Sequence, residues 1–232
     1  MKGKLLRILP FGIALICLGS AFLTVGCGSS SARYRFMQAA TAIPTNVDLQ
    51  VDGKTVQSSL GFGQPATYHS TKSGSRHFVV FPAGSTTTPY ADSSFSLASG
   101  DTTVIMEGPA SAVTLAPYTD DNTAPTTGNA KLRIIHASPL AGNLDVYVVP
   151  ANGGIAGFNP QLSNIKYPDA QNYLSLAASD YDVIMTQPGT QNIVLSLDLH
   201  LPLTAGQIRT VVVLDAPNGG GPFSLAQLND LN

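Results

Sequence analysis

The chain says nearly the same thing twice, and that repeat limits its fold more than any other feature. The segment "ARYRFMQAATAIPTNVDLQVDG" from Ala32 returns as "AKLRIIHASPLAGNLDVYVVP" from Ala130, with Arg35 over Arg133, Ala39 over Ala137 and, after a one-residue gap, Asp48 over Asp145. "YHSTKSGSRHFVVFPAG" from Tyr68 then matches "YLSLAASDYDVIMTQPG" from Tyr173, ending on Gly84 and Gly189. "FSLASGDTTVIM" from Phe95 matches "LPLTAGQIRTVVV" from Leu201, and "VTLA" at Val113 matches "FSLA" at Phe223. Blocks repeated in one order predict two copies of one domain of roughly 100 residues. Copy 1 is expected over residues 32–117 and copy 2 over 130–232, joined by a linker at 118–129 within the Pro-, Thr- and Asp-rich "PYTDDNTAPTTGN".

Within each copy, short β-branched and aromatic runs alternate with turn clusters. Val47, Leu49 and Val51 share one face of a period-two strand, as do Leu144, Val146 and Val148. Asp52-Gly53 is a hairpin turn, because glycine tolerates positive φ. "TTVIME" from Thr102 and "RTVVVLD" from Arg209 read as central strands covered on both faces. Charged residues make up only 11% of the chain, with Glu107 the single glutamate, so little favours helix. The expected fold is all-β: two tandem immunoglobulin-like antiparallel β-sandwich domains after an N-terminal signal peptide.

That leader has cationic Lys2, Lys4 and Arg7, then an apolar run from Ile8 to Val25, the layout of a secretory signal. Leu23-Thr24-Val25-Gly26-Cys27 resembles the lipobox of bacterial lipoproteins, although Thr24 stands where leucine is usual. The resemblance implies cleavage after residue 26, lipidation of Cys27 and a short tether over 27–31. Cys17 departs with the leader, so the mature chain would hold no disulfide. The expected location is the envelope, bound to a membrane through the N-terminal lipid. The outer membrane is favoured in a Gram-negative cell, because Gly28 rather than aspartate follows the cysteine.

"KLRIIHASPLAGNLDVYVVP", "YDVIMTQPG" and "LTAGQIRTVVVLD" resemble the bacterial domain of unknown function 4397. The likeness covers nearly all of Ala130 to Leu214 and, more weakly, Ala32 to Ala116. Copy 1 departs at Gln38, Ala40 and Thr41, where copy 2 has His136, Ser138 and Pro139, and at Gln50, where copy 2 has Tyr147. The resemblance implies a β-sandwich in exported, often lipid-anchored proteins, with no established activity.

Candidate chemistry is sparse. His136 and Ser138 lie on one strand face, yet no orienting carboxylate can be placed beside them from sequence, so they are expected to end a strand and bond a turn. Asp48 and Asp145 recur in both copies; a structural role is expected, with Arg35 and Arg133 as their salt-bridge partners. Asp120, Asp121 and Asn122 gather oxygens in the linker and are weak candidates for calcium. No zinc, P-loop, dinucleotide or nucleophile-elbow spacing occurs, so no cofactor is expected. A net charge of −2 gives no footprint for nucleic acid. The reading is a non-catalytic envelope lipoprotein that meets an envelope protein or polysaccharide through its two sandwiches. A glycan-recognition module using Tyr68, Tyr90 and Tyr118 is the alternative, and a hydrolase centred on His136 comes third.

Overall fold

The computed structural model describes residues 30–43 and 45–230. The segment expected to be a signal peptide, Cys27 and most of the expected tether therefore lie outside the described residues, which contain strands and turns and no helix. Copy 1 comprises β1 (Ser31–Gln38), β2 (Val47–Val51), β3 (Lys54–Leu60), β4 (His69–Lys72), β5 (Gly74–Pro82), β6 (Ala91–Leu97), β7 (Gly100–Glu107) and β8 (Thr114–Asp120). Copy 2 comprises β9 (Asn129–His136), β10 (Leu144–Pro150), β11 (Leu162–Ile165), β12 (Asp169–Ala170), β13 (Leu174–Ala177), β14 (Ser179–Thr186), β15 (Ile193–Leu203), β16 (Ile208–Leu214) and β17 (Ser224–Asn229).

Each copy folds into two sheets. Copy 1 has the orders β4-β1-β7-β8 and β3-β2-β5-β6; copy 2 has β12-β9-β16-β17, with β13 also on β9, and β11-β10-β14-β15. The sandwich is antiparallel except for one pair per copy: β1 runs parallel to β7, and β9 parallel to β16. Side-chain pattern reports which face of a strand is buried, not which way its neighbour runs. β8 continues to Asp120, so Tyr118, Thr119 and Asp120 are strand residues of copy 1 rather than linker.

The cores follow the alternation. Tyr34 and Phe36 from β1 meet Leu49, Phe78 and Val80 of the facing sheet, and Leu132 and Ile134 from β9 meet Val146, Val148 and Val183. Burying each such side chain contributes about 1.5–3 kcal/mol. Arg35 and Met37 of β1 and Lys131, Arg133 and Ile135 of β9 point away from these cores, yet they are buried too. Met37, Ala39 and Ile105 of copy 1 pack on Ile135, Ala137, Val212, Leu214 and Leu228 of copy 2. Thus the second face of each β1-type sheet is covered by the other copy, which explains the unbroken apolar runs of β7 and β16. A main-chain bond from Ala42 N–H to Pro217 C=O, 2.8 Å, crosses the same joint.

Asp48 and Asp145 fasten the outer sheets. Asp48 accepts the Ser59 N–H at 2.8 Å and the Gly84 N–H at 2.9 Å; Asp145 accepts the Asn164 N–H at 2.7 Å and the Gly189 N–H at 2.8 Å. Ser59 and Asn164 each hold a φ of 52°, a left-handed kink that the carboxylate stabilises in both copies. The expected pairs Arg35–Asp48 and Arg133–Asp145 do not form. Each aspartate sits on the outer sheet, while each arginine faces the other copy from the inner sheet, so the sandwich core separates them.

Candidate functional site

The joint between the copies holds a polar network that repeats itself. Arg35 donates Nε–H to Thr103 Oγ1 at 2.8 Å and Nη1–H to the Asn229 carbonyl at 2.8 Å, and its Nη2 pairs with Asp230 of copy 2. Arg133 donates to Thr210 Oγ1 at 3.2 Å and to the Thr119 carbonyl at 2.9 Å, and its Nη2 pairs with Asp120 of copy 1. The bridges are therefore exchanged: each copy's arginine takes the other copy's aspartate. Both arginine side chains are 3% exposed and both aspartates 0%, so each charge is compensated away from water. Burial disfavours the Arg133 charge most strongly, but Asp120, Tyr173 and Asp230 together outweigh it and the guanidinium is held above its usual pKa.

A tyrosine completes each half. Tyr68 donates its hydroxyl to Asp120 at 2.6 Å and lies under Arg35, 4.8 Å from ring centre to Cζ. Tyr173 donates to Asp230 at 3.0 Å and lies under Arg133 at the same 4.8 Å. Burial, then the neighbouring carboxylates, push both phenols above their usual range. Each tyrosine thus bonds its own copy's aspartate, the one that holds the other copy's arginine, and lies under its own copy's arginine.

Two clefts open where this network reaches the surface. The first, about 500 Å³, lies between Pro117, Tyr118 and Thr119 of β8 and Gln171, Asn172 and Tyr173 of copy 2, with Arg133 on its floor. The second, about 520 Å³, lies between Pro65, Thr67 and Tyr68 of copy 1 and Gln227 and Asn229 of β17, with Arg35 on its floor. They occupy equivalent places in the repeat, and their volumes fall in the range of ligand clefts. A third hollow of about 540 Å³, lined by Asp182 and His200, sits on the β10–β14 sheet instead.

The three residues considered for calcium diverge. Asp120 is used up by Arg133, Thr103 and Tyr68; Asp121 pairs with Lys131 at 2.7 Å; Asn122 donates to Asp101 at 2.7 Å. Bonding to Lys131 and Thr123 holds the Asp121 carboxyl down at about 2. These three residues therefore do not converge on one point, and among the described residues no group of three acidic or histidine side chains is placed to hold a metal ion. Tyr68, Tyr90 and Tyr118, expected as exposed rings, are half-buried.

His136 and Ser138 are fully buried at the end of β9. His136 Nε2–H donates to the Gly142 carbonyl at 2.8 Å, and its Nδ1 accepts the Ser138 N–H at 3.3 Å. The Ser138 hydroxyl donates to Asp215 and accepts the Ala141 N–H at 3.2 Å. Both ring nitrogens are thus engaged by the main chain, and the serine proton goes to a carboxylate rather than to histidine. Burial lowers the His136 pKa, so the ring is neutral with its proton on Nε2.

Glu107 stands beside the first cleft. It is 1% exposed, and among the described residues its carboxyl receives only the Tyr118 hydroxyl, 3.2 Å from each oxygen. Burial raises its pKa to about 7, against a small lowering by that bond.

Residues 32–147 match the sequence profile of a family described as a domain of unknown function, DUF4397. The chain belongs to this family. The DUF4397 match begins with β1, takes in all of copy 1 and ends within β10, whereas the quoted motifs pointed more strongly to copy 2. No curated protein matches the chain. Among solved structures it is similar to a streptococcal virulence factor described as binding α-glucan, at 9% identity over 74% of this chain and 88% of that one, TM-score 0.25. A TIE protein of Bacillus anthracis matches at 11% identity over 80% of this chain and 34% of its own, TM-score 0.22. A leucine-rich repeat protein from Bacteroides thetaiotaomicron matches at 12% identity over 83% of this chain and 27% of its own, TM-score 0.22. Likenesses this loose transfer nothing from those proteins to this DUF4397 chain.

Asp230, Thr103, Thr210, Tyr173 and Asp215 were not singled out from sequence. Tyr68 over Tyr173 opens the second repeated block, and extending "VTLA" over "FSLA" places Asp120 over Asp230. Thr103 and Thr210 were masked, because aligning Gly100 on Gly206 leaves them one residue out of step. The ladders restore the match, setting Arg35 beside Thr103 and Arg133 beside Thr210.

Proposed function

We propose that the mature chain is a non-catalytic envelope lipoprotein, exported by its leader, lipidated at Cys27, and holding an envelope partner in the paired clefts between its two sandwiches. The observation that carries this reading is the recurrence of one cleft at equivalent places in the joint, each over an exchanged arginine–aspartate bridge. Such a network fixes two rigid walls around each opening, which is the preorganisation that a binding site requires. The leader layout and Cys27 support anchoring, since two or more acyl chains hold a soluble body on a bilayer.

The test has two arms. Cells fed a fatty-acid analogue are expected to label the wild-type chain and not Cys27→Ala; label persisting in the variant overturns the anchor. The unlipidated mature chain, Gly28–Asn232, is expected to sediment with isolated envelopes. Thr67→Trp with Asn172→Trp, which fills both clefts from exposed positions, should reduce sedimentation at least fivefold, and equal sedimentation of the two proteins overturns the cleft assignment.

A further inference from the structure

Resting on the reading that the clefts are the binding surface, we infer that their occupant is a neutral glycan. The first argument is charge. Each floor arginine already donates to a threonine, a main-chain carbonyl and an aspartate, and Asp121 at the rim of the first cleft is paired with Lys131. The formal charges on the floors and at Asp121 are therefore answered inside the protein, and an ionic ligand entering here finds no spare counter-charge.

The second argument is what remains unanswered. The side chains of Thr119 and Asn172 in the first cleft, and of Thr67 and Gln227 in the second, are exposed and make no hydrogen bond within the described residues. Amides and hydroxyls both donate and accept, as sugar hydroxyls do, so the match needs no net charge on either side. Beside them stand flat apolar surfaces. Tyr173 and Pro117 line one cleft, Tyr68 and Pro65 the other, and each tyrosine is locked by its hydroxyl bond to a buried aspartate. A pyranose ring presents C–H faces to such surfaces and hydroxyls at its edge. A peptide strand is disfavoured at the first cleft, because Pro117 removes an N–H from β8, which among the described residues pairs only with β7.

Two clefts per chain give two sites, and a polymer that reaches both gains avidity of about 10²–10⁴ over a single-site fragment. The mature chain is run in native gels cast with glycogen, mannan, galactomannan or a soluble β-1,3-glucan, and in parallel with alginate, heparin or hyaluronate. At least one neutral polymer is expected to retard it and the polyanions are not. Calorimetry with oligosaccharides cut from the retarding polymer is expected to count two sites. Thr67→Trp and Asn172→Trp should each remove one, and the double variant should bind at least tenfold more weakly with unchanged Tm. Retardation by polyanions alone, or neutral binding that both tryptophans leave intact, overturns the inference. If no polysaccharide retards the chain while its sedimentation with envelopes remains cleft-dependent, the occupant is a protein, and only the glycan assignment falls. If envelope sedimentation is also insensitive to the tryptophans, the cleft reading falls with it.

Discussion

Where β1 and β9 end, copy 1 has Gln38, Ala40 and Gly108, and copy 2 has His136, Ser138 and Asp215 at the matching ladder positions. Copy 2 ties its strand end with side chains, through the histidine–carbonyl and serine–aspartate bonds. Both copies share a main-chain bond there, Ala39 N–H on Met106 C=O and Ala137 N–H on Val213 C=O, but copy 1 adds Gly63 N–H on Gln38 C=O and leaves Gln38 Oε1 unpartnered among the described residues. The copies agree, in contrast, on the polar network that crosses the joint: arginine, threonine, aspartate and tyrosine occur twice with the same connections. Groups that answer to the other copy are tied to a partner across the joint, whereas a strand end answers only to its own neighbours. Glu107 is the exception, an acid on the joint where copy 2 has Leu214.

The largest effect is expected from breaking the shared part. Asp120→Ala and Asp230→Ala each strand a buried arginine, which costs about 3–5 kcal/mol. Because the two sites are equivalent, urea unfolding of the chain from Gly28 to Asn232 should give the two variants the same loss within about 1 kcal/mol. A loss confined to one variant breaks the equivalence. Next comes the asymmetric acid. Folding raises the Glu107 pKa to about 7, so the folded chain holds the proton more tightly. The associated stability is complete below about 4.5 and is lost as pH rises through about 7, by roughly 3 kcal/mol in all. Glu107→Leu, which copies the Leu214 position, should be more stable than wild type at pH 8 and gain little at pH 5. A pH-independent difference would show that Glu107 is not protonated in the fold.

Period-two alternation made the strands legible, and the repeat made the pair of sandwiches legible, because both depend on local chemistry that a sequence displays. The joint was half visible. Val104, Ile105 and Met106 show that both faces of β7 are buried, but not that the second cover is the other copy. Partner choice was invisible for a further reason. Arg35 has aspartates within its own copy, and only the assignment of β1 and β2 to different sheets sends it to Asp230. The clefts exist only once two copies meet, so no single segment carries them.

Smaller effects sharpen the comparison at the outer sheets. Asp145→Asn and Asp48→Asn each replace one accepting oxygen by an amide that faces an N–H, at a cost of about 1–3 kcal/mol. Asp145 is buried and Asp48 half-buried, so the copy 2 variant should lose more, measured by thermal unfolding. An equal or reversed order would show that solvent does not relieve the copy 1 turn.

The smallest effect is expected at His136→Gln, which gives copy 2 the residue that copy 1 carries. Glutamine can still donate to a carbonyl, so the loss at pH 8 should stay within about 1 kcal/mol. The pH profile should change more than the stability does. Burial lowers the His136 pKa, so the folded state resists protonation, and the histidine's contribution is present above its unfolded value and lost as pH falls below it. Glu107 acts with the opposite sign, losing stability as pH rises. In wild type the two slopes oppose each other under mildly acidic conditions. His136→Gln should therefore unmask a steady fall in Tm from pH 5 to pH 8, and Glu107→Gln a fall only on acidification. If His136→Gln leaves the shape of the Tm profile unchanged, the ring is not held neutral by burial, and the strand end of copy 2 differs from that of copy 1 in bonding alone.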